Sequence, residues 1–314
     1  MQNEFIEEKI KIGEKYPLEG LLTVPMTGIS AYPAVILVHG SGPNDMNEKV
    51  GNVYPFKDLA EGLAKRGIAT IRYNKRTFTY GKEMVLNTSL DLTVKEETIE
   101  DAVFATQLLK NDLRINPNKI FILGHSMGGM LAPRIDAEGG DFAGLIIWGG
   151  SPRRLEEIII DQQEDFLKTA NSIMRWIMRR QVGNIRTKFE RMYSMTDEEA
   201  KTTPLFNKYS KVYYLKECGE KPAINYLENL VKPILVMHAS ADFHVSIEKD
   251  FEEYKRILSN HPNASFKLYP GLNHLFMPSV YGDIKKAMKE YKKVQKVEEY
   301  VINDIAEWIK SIKE

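Results

Sequence analysis

Lys119-Ile120-Phe121-Ile122-Leu123-Gly124-His125-Ser126-Met127-Gly128-Gly129 is the stretch on which the reading of this chain turns. An apolar, β-compatible run leads into a serine flanked by glycines, and a helix-compatible stretch from Met130 to Ala137 follows. That strand, turn, helix setting is what a G-x-S-x-G nucleophile elbow requires. A serine hydroxyl is a weak nucleophile at neutral pH, so it has to stand clear of its own backbone and beside a base. A tight turn achieves this when the positions two before and two after the serine carry no side chain, as at Gly124 and Gly128. The competing reading of the pentapeptide is a glycine-rich connection that packs a helix on a sheet.

Upstream, residues 4–12 and 18–24 form an antiparallel pair split by the turn-like segment from Gly13 to Pro17. Ala34-Val35-Ile36-Leu37-Val38 has no polar alternation, which predicts a strand covered on both faces. It ends in His39-Gly40-Ser41-Gly42-Pro43, whose glycines let the backbone approach a ligand. A helix over about 56–66, a strand over 68–73, a long polar loop over about 74–90 and a helix within 92–113 lead back to the serine. Downstream, 142–148 is a buried strand and 233–238 resumes the sheet. Helix 246–259, strand 265–269 and a helix over about 295–312 complete the alternation.

Strands alternating with helices predict an α/β fold, a mostly parallel central sheet with helices on both faces. A right-handed crossover needs only about a dozen residues, so most of the segment between Trp148 and Pro233 is surplus. We divide the chain into a core of residues 1–148 and 233–314 and a helical cap of residues 149–232 inserted between core strands. The cap holds Trp176, Phe189, Tyr193, Phe206, Tyr209, Tyr213 and Tyr214, enough to line an aromatic pocket. Trp176 and Tyr213 are the expected substrate-binding residues. A basic run from Arg175 to Arg191 offers an anionic contact at the rim instead.

The 314 residues balance 43 Lys+Arg against 43 Asp+Glu, so no global field favours nucleic acid. No apolar run of 18 residues or more is present to span a membrane. The six histidines include no metal-ligand spacing of the H-E-x-x-H kind, and neither metal nor cofactor is expected. An acidic start without a signal-peptide pattern and a single cysteine, Cys218, predict a cytoplasmic protein. Oligomeric state is not readable from the chain.

In open α/β sheets, ligands bind at the carboxyl ends of the strands. Four such ends carry polar residues: His39-Gly40-Ser41, Gly124-His125-Ser126, His238-Ala239-Ser240-Ala241-Asp242 and Tyr269-Pro270-Gly271-Leu272-Asn273-His274. Serine, then acid, then histidine is the order of an α/β-hydrolase, and it selects Ser126 as nucleophile, Asp242 as acid and His274 as base. The N–H groups of Met127 and Ser41 are the expected oxyanion donors. His244 is a competing base and His125 a packing residue of the elbow. His39 shapes the oxyanion loop, His238 and His261 are structural, and Asp250 and Asp283 are weaker acids.

With these residues in place, the chain resembles an α/β-hydrolase fold serine hydrolase over nearly its full length. The stretches 39–43, Arg72-Tyr73-Asn74-Lys75-Arg76 and 124–129 are similar to bacterial esterases of the dienelactone-hydrolase-like and cinnamoyl-esterase-like group. Dienelactone hydrolases proper use a cysteine nucleophile, whereas this chain has serine. The resemblance implies hydrolysis of a small-molecule ester, of small acyl or aromatic type. Acyl-CoA thioesterase and peptidase are alternatives on the same triad, and a non-catalytic binding protein is a different class that typically lacks a triad member.

Overall fold

The computed structural model describes residues 4–28, 31–87, 90–169, 171–206, 210–281, 286 and 289–313. Eight strands form one sheet: β1 (Phe5–Ile12), β2 (Leu18–Pro25), β3 (Tyr32–Val38), β4 (Ala69–Tyr73), β5 (Ile115–His125), β6 (Gly144–Trp148), β7 (Ile234–Ala239) and β8 (Ala264–Tyr269). Their order is β1-β2-β4-β3-β5-β6-β7-β8. β1 pairs antiparallel with β2 and β2 with β4, and every pairing from β4 to β8 is parallel.

The unbroken apolar runs of β3 and β5 are explained by what covers them. Successive side chains point to opposite faces. Ala34, Ile36 and Val38 join Ile120 and Ile122 in one cluster, with α3 (Glu100–Lys110) and α4 (Met127–Ile135) over them. Val35 and Leu37 join Phe121 and Leu123 in the other. There they meet α1 (Pro55–Ala64) and the terminal helix Glu299–Ser311. Each fully buried Val, Leu or Ile contributes about 1.5–3 kcal/mol, so a polar residue on either face of these strands is strongly disfavoured.

Two expectations about local structure are corrected. The supposed polar loop over 74–90 contains a helix, α2 (Arg76–Leu86). An apolar stripe does not define it, since Phe78 and Leu86 face solvent. It is tied down by Arg76, whose guanidinium reaches Asp101 at 2.5 Å and Glu100 at 2.9 Å. The helix expected through Leu113 ends at Lys110, leaving Leu113 96% exposed.

Between β6 and β7 the described elements are all helical: α5 (Leu155–Thr169), α6 (Ser172–Met192), α7 (Asp197–Thr202), α8 (Val212–Glu220) and α9 (Ala223–Leu227). α5 to α8 share an apolar cluster that includes Leu167, Val182, Phe189, Met192, Val212 and Leu215. A capping box at Thr196 and Glu199 starts α7. Among the described residues no helix is long and apolar enough to cross a membrane.

Candidate active site

Ser126 follows β5 and precedes α4 with φ 52° and ψ −114°, outside the regions that residues with a side chain usually occupy. Two contacts hold that conformation: the Ser126 N–H donates to the Trp148 carbonyl, and its own carbonyl accepts from Met130 N–H, each at 3.0 Å. The turn is tight enough that a Cβ on Gly124 would lie 2.2 Å from the Gly128 carbonyl oxygen. One on Gly128 would lie 2.3 Å from that of Val38. The two glycines are therefore steric necessities.

Asp242 follows β7 and His274 lies in the turn after β8. His274 Nδ1 is 2.6 Å from Asp242 Oδ2, with both side chains buried. Asp242 Oδ1 accepts the N–H groups of His244 at 2.7 Å and Val245 at 3.2 Å, which fixes the carboxylate plane. His274 lies against the end of β6, the neighbour of the strand that leads to Ser126, because a Cβ on Gly149 would stand 3.4 Å from its Nδ1. No hydrogen bond joins the His274 ring to the Ser126 hydroxyl among the described residues.

The surroundings of His274 favour its neutral form. Burial, and then the neighbouring charge of His125, push its imidazole well below the ordinary value. His125 behaves oppositely. Burial pushes it down, but the Glu48 carboxylate at 2.9 Å outweighs this and leaves it raised. His125 Nε2 lies 3.2 Å from the His274 carbonyl oxygen, so this residue links the elbow to the base loop. Burial, and then His274, lower His244 to about 3; its ring lies tilted against that of His274 with centroids 4.6 Å apart. His39 Nε2 lies 3.0 Å from the Asp45 carbonyl oxygen. His238 stacks on Phe251, and Asp250 is tied to Ser151, Arg153 and Ser246. Asp283 lies outside the described residues.

Ser126, Ser41 and Met127 line one cavity of about 1110 Å³. Its wall combines aliphatic side chains such as Met84, Leu92, Met130, Leu155, Ile158 and Leu205 with three aromatics, Phe206, Tyr213 and Tyr214, and with polar residues that include Asp91, Lys201 and Lys211. Trp176 requires a correction: it is 72% exposed and does not line this cavity. The aromatic content of a segment does not say which of its side chains look toward the sheet. Phe189 is buried among the inserted helices, Tyr193 bonds Glu156, and Tyr209 lies outside the described residues. The basic run also stands apart, with Arg186 paired to Glu164 at the surface and Arg175 and Arg179 lining a separate smaller pocket.

Sequence reasoning missed three buried charged residues beside the serine. Glu48 accepts the Gly40 N–H at 2.7 Å, Lys75 Nζ donates to the Gly40 carbonyl at 2.9 Å, and Glu97 pairs with Lys75 at 2.9 Å. Lys75 stood in a stretch that carried the family resemblance, but nothing in its spacing marks it as buried. Glu48 is preceded by ordinary loop residues, and its φ of 51° has no sequence signature.

An eight-stranded, mostly parallel sheet with its serine at a strained strand-to-helix elbow defines the α/β-hydrolase fold. The chain belongs to the serine hydrolase family described as serine aminopeptidase, S33, whose model matches residues 30–278. Esterase EstD of Thermotoga maritima is 37% identical over 292 residues, which are 93% of this chain and 65% of EstD, so the chain spans under two-thirds of that relative's length. The resemblance to bacterial esterases is borne out by these matches. Among solved structures, Est1E from Butyrivibrio proteoclasticus is 16% identical with a TM-score of 0.56, covering 95% of this chain and 99% of its own. Pyrococcus horikoshii acylaminoacyl peptidase is 14% identical with a TM-score of 0.59, covering 99% of this chain and 42% of its own. At those identities the likeness concerns the fold alone.

Proposed function

We propose that the protein hydrolyses carboxylic esters through an acyl-enzyme on Ser126. The observation that carries this reading is the 2.6 Å contact between His274 Nδ1 and Asp242 in the neighbourhood of a serine held at an elbow. With Nδ1–H donated to Asp242, Nε2 of a neutral His274 is left as the acceptor. It takes the Ser126 proton as Oγ attacks the ester carbonyl, then returns it to the leaving alcohol. Water repeats the sequence on the acyl-enzyme. The His274 to Ser126 hydrogen bond forms with substrate in place, as catalytic contacts often tighten only then. The N–H groups of Ser41 and Met127 stabilise the oxyanion.

Residues 149–232 act as a cap on this core, and their own apolar cluster supports that division. The cavity's apolar wall favours a neutral acyl group, and its three aromatics admit an aryl one. EstD is named an esterase, and Est1E has been solved with ferulic acid bound. The basic run lies away from the cavity, which weighs against an acyl-CoA substrate. A peptidase reading draws on the family's description, since the same groups can cleave amides. A single cysteine fits a reducing, cytoplasmic setting.

The test is covalent labelling by a fluorophosphonate, followed by kcat/KM for a panel of esters, thioesters and aminoacyl amides. Labelling abolished in Ser126→Ala, with esters the best substrates, is the expected result. Undiminished labelling or turnover in folded Ser126→Ala would remove Ser126 as nucleophile.

A further inference from the structure

Lys75 is 2% exposed and sits where β4 passes into α2, beside the loop that leaves β3. A buried ammonium is costly unless it is paired and hydrogen-bonded. Lys75 makes both kinds of contact: Nζ is 2.9 Å from Glu97 Oε1 and donates to the Gly40 carbonyl at 2.9 Å. Glu97 is itself held, accepting from Thr77 at 3.3 Å and from the Tyr214 hydroxyl on α8. On its other side, the Gly40 N–H donates to Glu48 at 2.7 Å. Both peptide groups of Gly40 are thus gripped by buried charges of opposite sign.

The Gly40 carbonyl and the Ser41 N–H belong to one planar peptide unit. In a trans peptide they point in opposite directions, so a donor fixed on the carbonyl aims the N–H the other way. Ser41 lines the cavity with Ser126 and Met127. Its N–H makes no backbone hydrogen bond among the described residues. A charged donor bonds about twice as strongly as a neutral one and polarises the amide it touches. Asn44 also reaches the Gly40 carbonyl, at 3.2 Å, but brings no charge.

We infer that Lys75 is a positioning residue of the oxyanion hole, orienting and polarising the Gly40–Ser41 peptide so that the Ser41 N–H meets the developing oxyanion. The inference rests on the proposed role of Ser126 and Ser41. A second consequence is that the inserted helices bear on the oxyanion loop, through Tyr214, Glu97 and Lys75 in turn.

The experiment compares wild type, Lys75→Met, the double variant Lys75→Met/Glu97→Gln and Glu97→Gln on one neutral aryl ester. It also measures inhibition by phenylboronic acid, which takes up the Ser126 oxygen to form a tetrahedral borate as the proton passes to His274. The double variant removes the buried charge that Lys75→Met strands, so it keeps the test open if the single variant fails to fold. Loss of one oxyanion donor costs about a hundred- to a thousandfold in kcat. A loosened donor is accordingly expected to cost about ten- to a hundredfold, with KM little changed and boronate affinity falling in step with kcat/KM. Glu97→Gln keeps the lysine and is expected to lose less than Lys75→Met. A folded Lys75 variant with near-native kcat and boronate affinity overturns the inference. So does a loss confined to KM, which would mark a purely structural role. Boronate binding that survives Ser126→Ala instead overturns the reading of the nucleophile on which the inference stands.

Discussion

Asp242 Oδ2 and His274 Nδ1 lie 2.6 Å apart although 32 residues of chain separate them. The carboxylate's other oxygen is taken by the N–H groups of His244 and Val245. Asp242 is therefore aimed by its own turn and offers its remaining oxygen to His274. His244 contributes its backbone to the aspartate, while its ring lies against His274.

Asp242→Asn and His274→Ala are each expected to lower kcat by about a thousandfold or more, and combining either with Ser126→Ala should add little, because such groups act as a unit. His244→Ala should keep most of its turnover. Steady-state kinetics on a single activated ester separates the outcomes; an inactive His244→Ala beside an active His274→Ala would reassign the base.

The acid limb of kcat/KM should fall below the ordinary imidazole value of 6.5. In its proposed role His274 accepts a proton only when neutral, and burial together with the His125 charge disfavours its protonation. The groups around it, Asp242, His125, Glu48, His238 and His244, leave the net shift downward. Lowering the pH therefore removes activity later than for a free imidazole. A pH–rate profile in folded protein checks this, and a half-maximal point at or above 6.5 would contradict it.

Gly124→Ala should destabilise the protein rather than merely slow it. Its Cβ would stand 2.2 Å from the Gly128 carbonyl, a backbone atom that cannot swing aside. Strain of this kind in a packed interior typically costs about 1–3 kcal/mol. Thermal unfolding compared with Gly42→Ala, at a loop glycine whose Cβ would meet no atom within 4 Å, separates steric clash from conformational strain. Gly42 has φ 89° and open space, so its variant reports backbone strain alone, whereas the elbow variant reports the clash.

Tyr213→Ala should change the ranking of neutral esters by about tenfold, the scale of a lost apolar contact. Trp176→Ala should leave it within about twofold, since exposed substitutions away from a site have small effects. Turnover of a neutral aryl ester and an acyl-CoA at low and high salt completes the comparison. A thioester preference that collapses with salt would restore the basic run to the substrate site.

The sheet was legible because strands buried on both faces must be apolar throughout, as in Val35 to Val38 and Ile120 to Leu123. The elbow was legible because glycine is the residue that fits positions 124 and 128. Helix α2 was not, since it is secured by Arg76 reaching Asp101 and Glu100, a tertiary pairing with no local period. Trp176 was misplaced for a related reason: which face of an inserted helix looks inward depends on how the insertion docks. Glu48, Lys75 and Glu97 look like ordinary surface charges in one dimension, and become informative only when folding brings all three around Gly40 or its partners.

The parallel pairing of the sheet bears on how activity is acquired. Ser126, Asp242 and His274 stand after β5, β7 and β8, and β3 pairs Ala34 with Ile120 across most of the amino-terminal half. Contacts so distant in sequence close slowly, because chain entropy must be lost before they give anything back. Local helices such as α5 and α8 face no such delay. During refolding from denaturant, ellipticity should therefore recover ahead of turnover, and in a nascent chain the proposed triad is complete only after the β8 turn has joined the sheet.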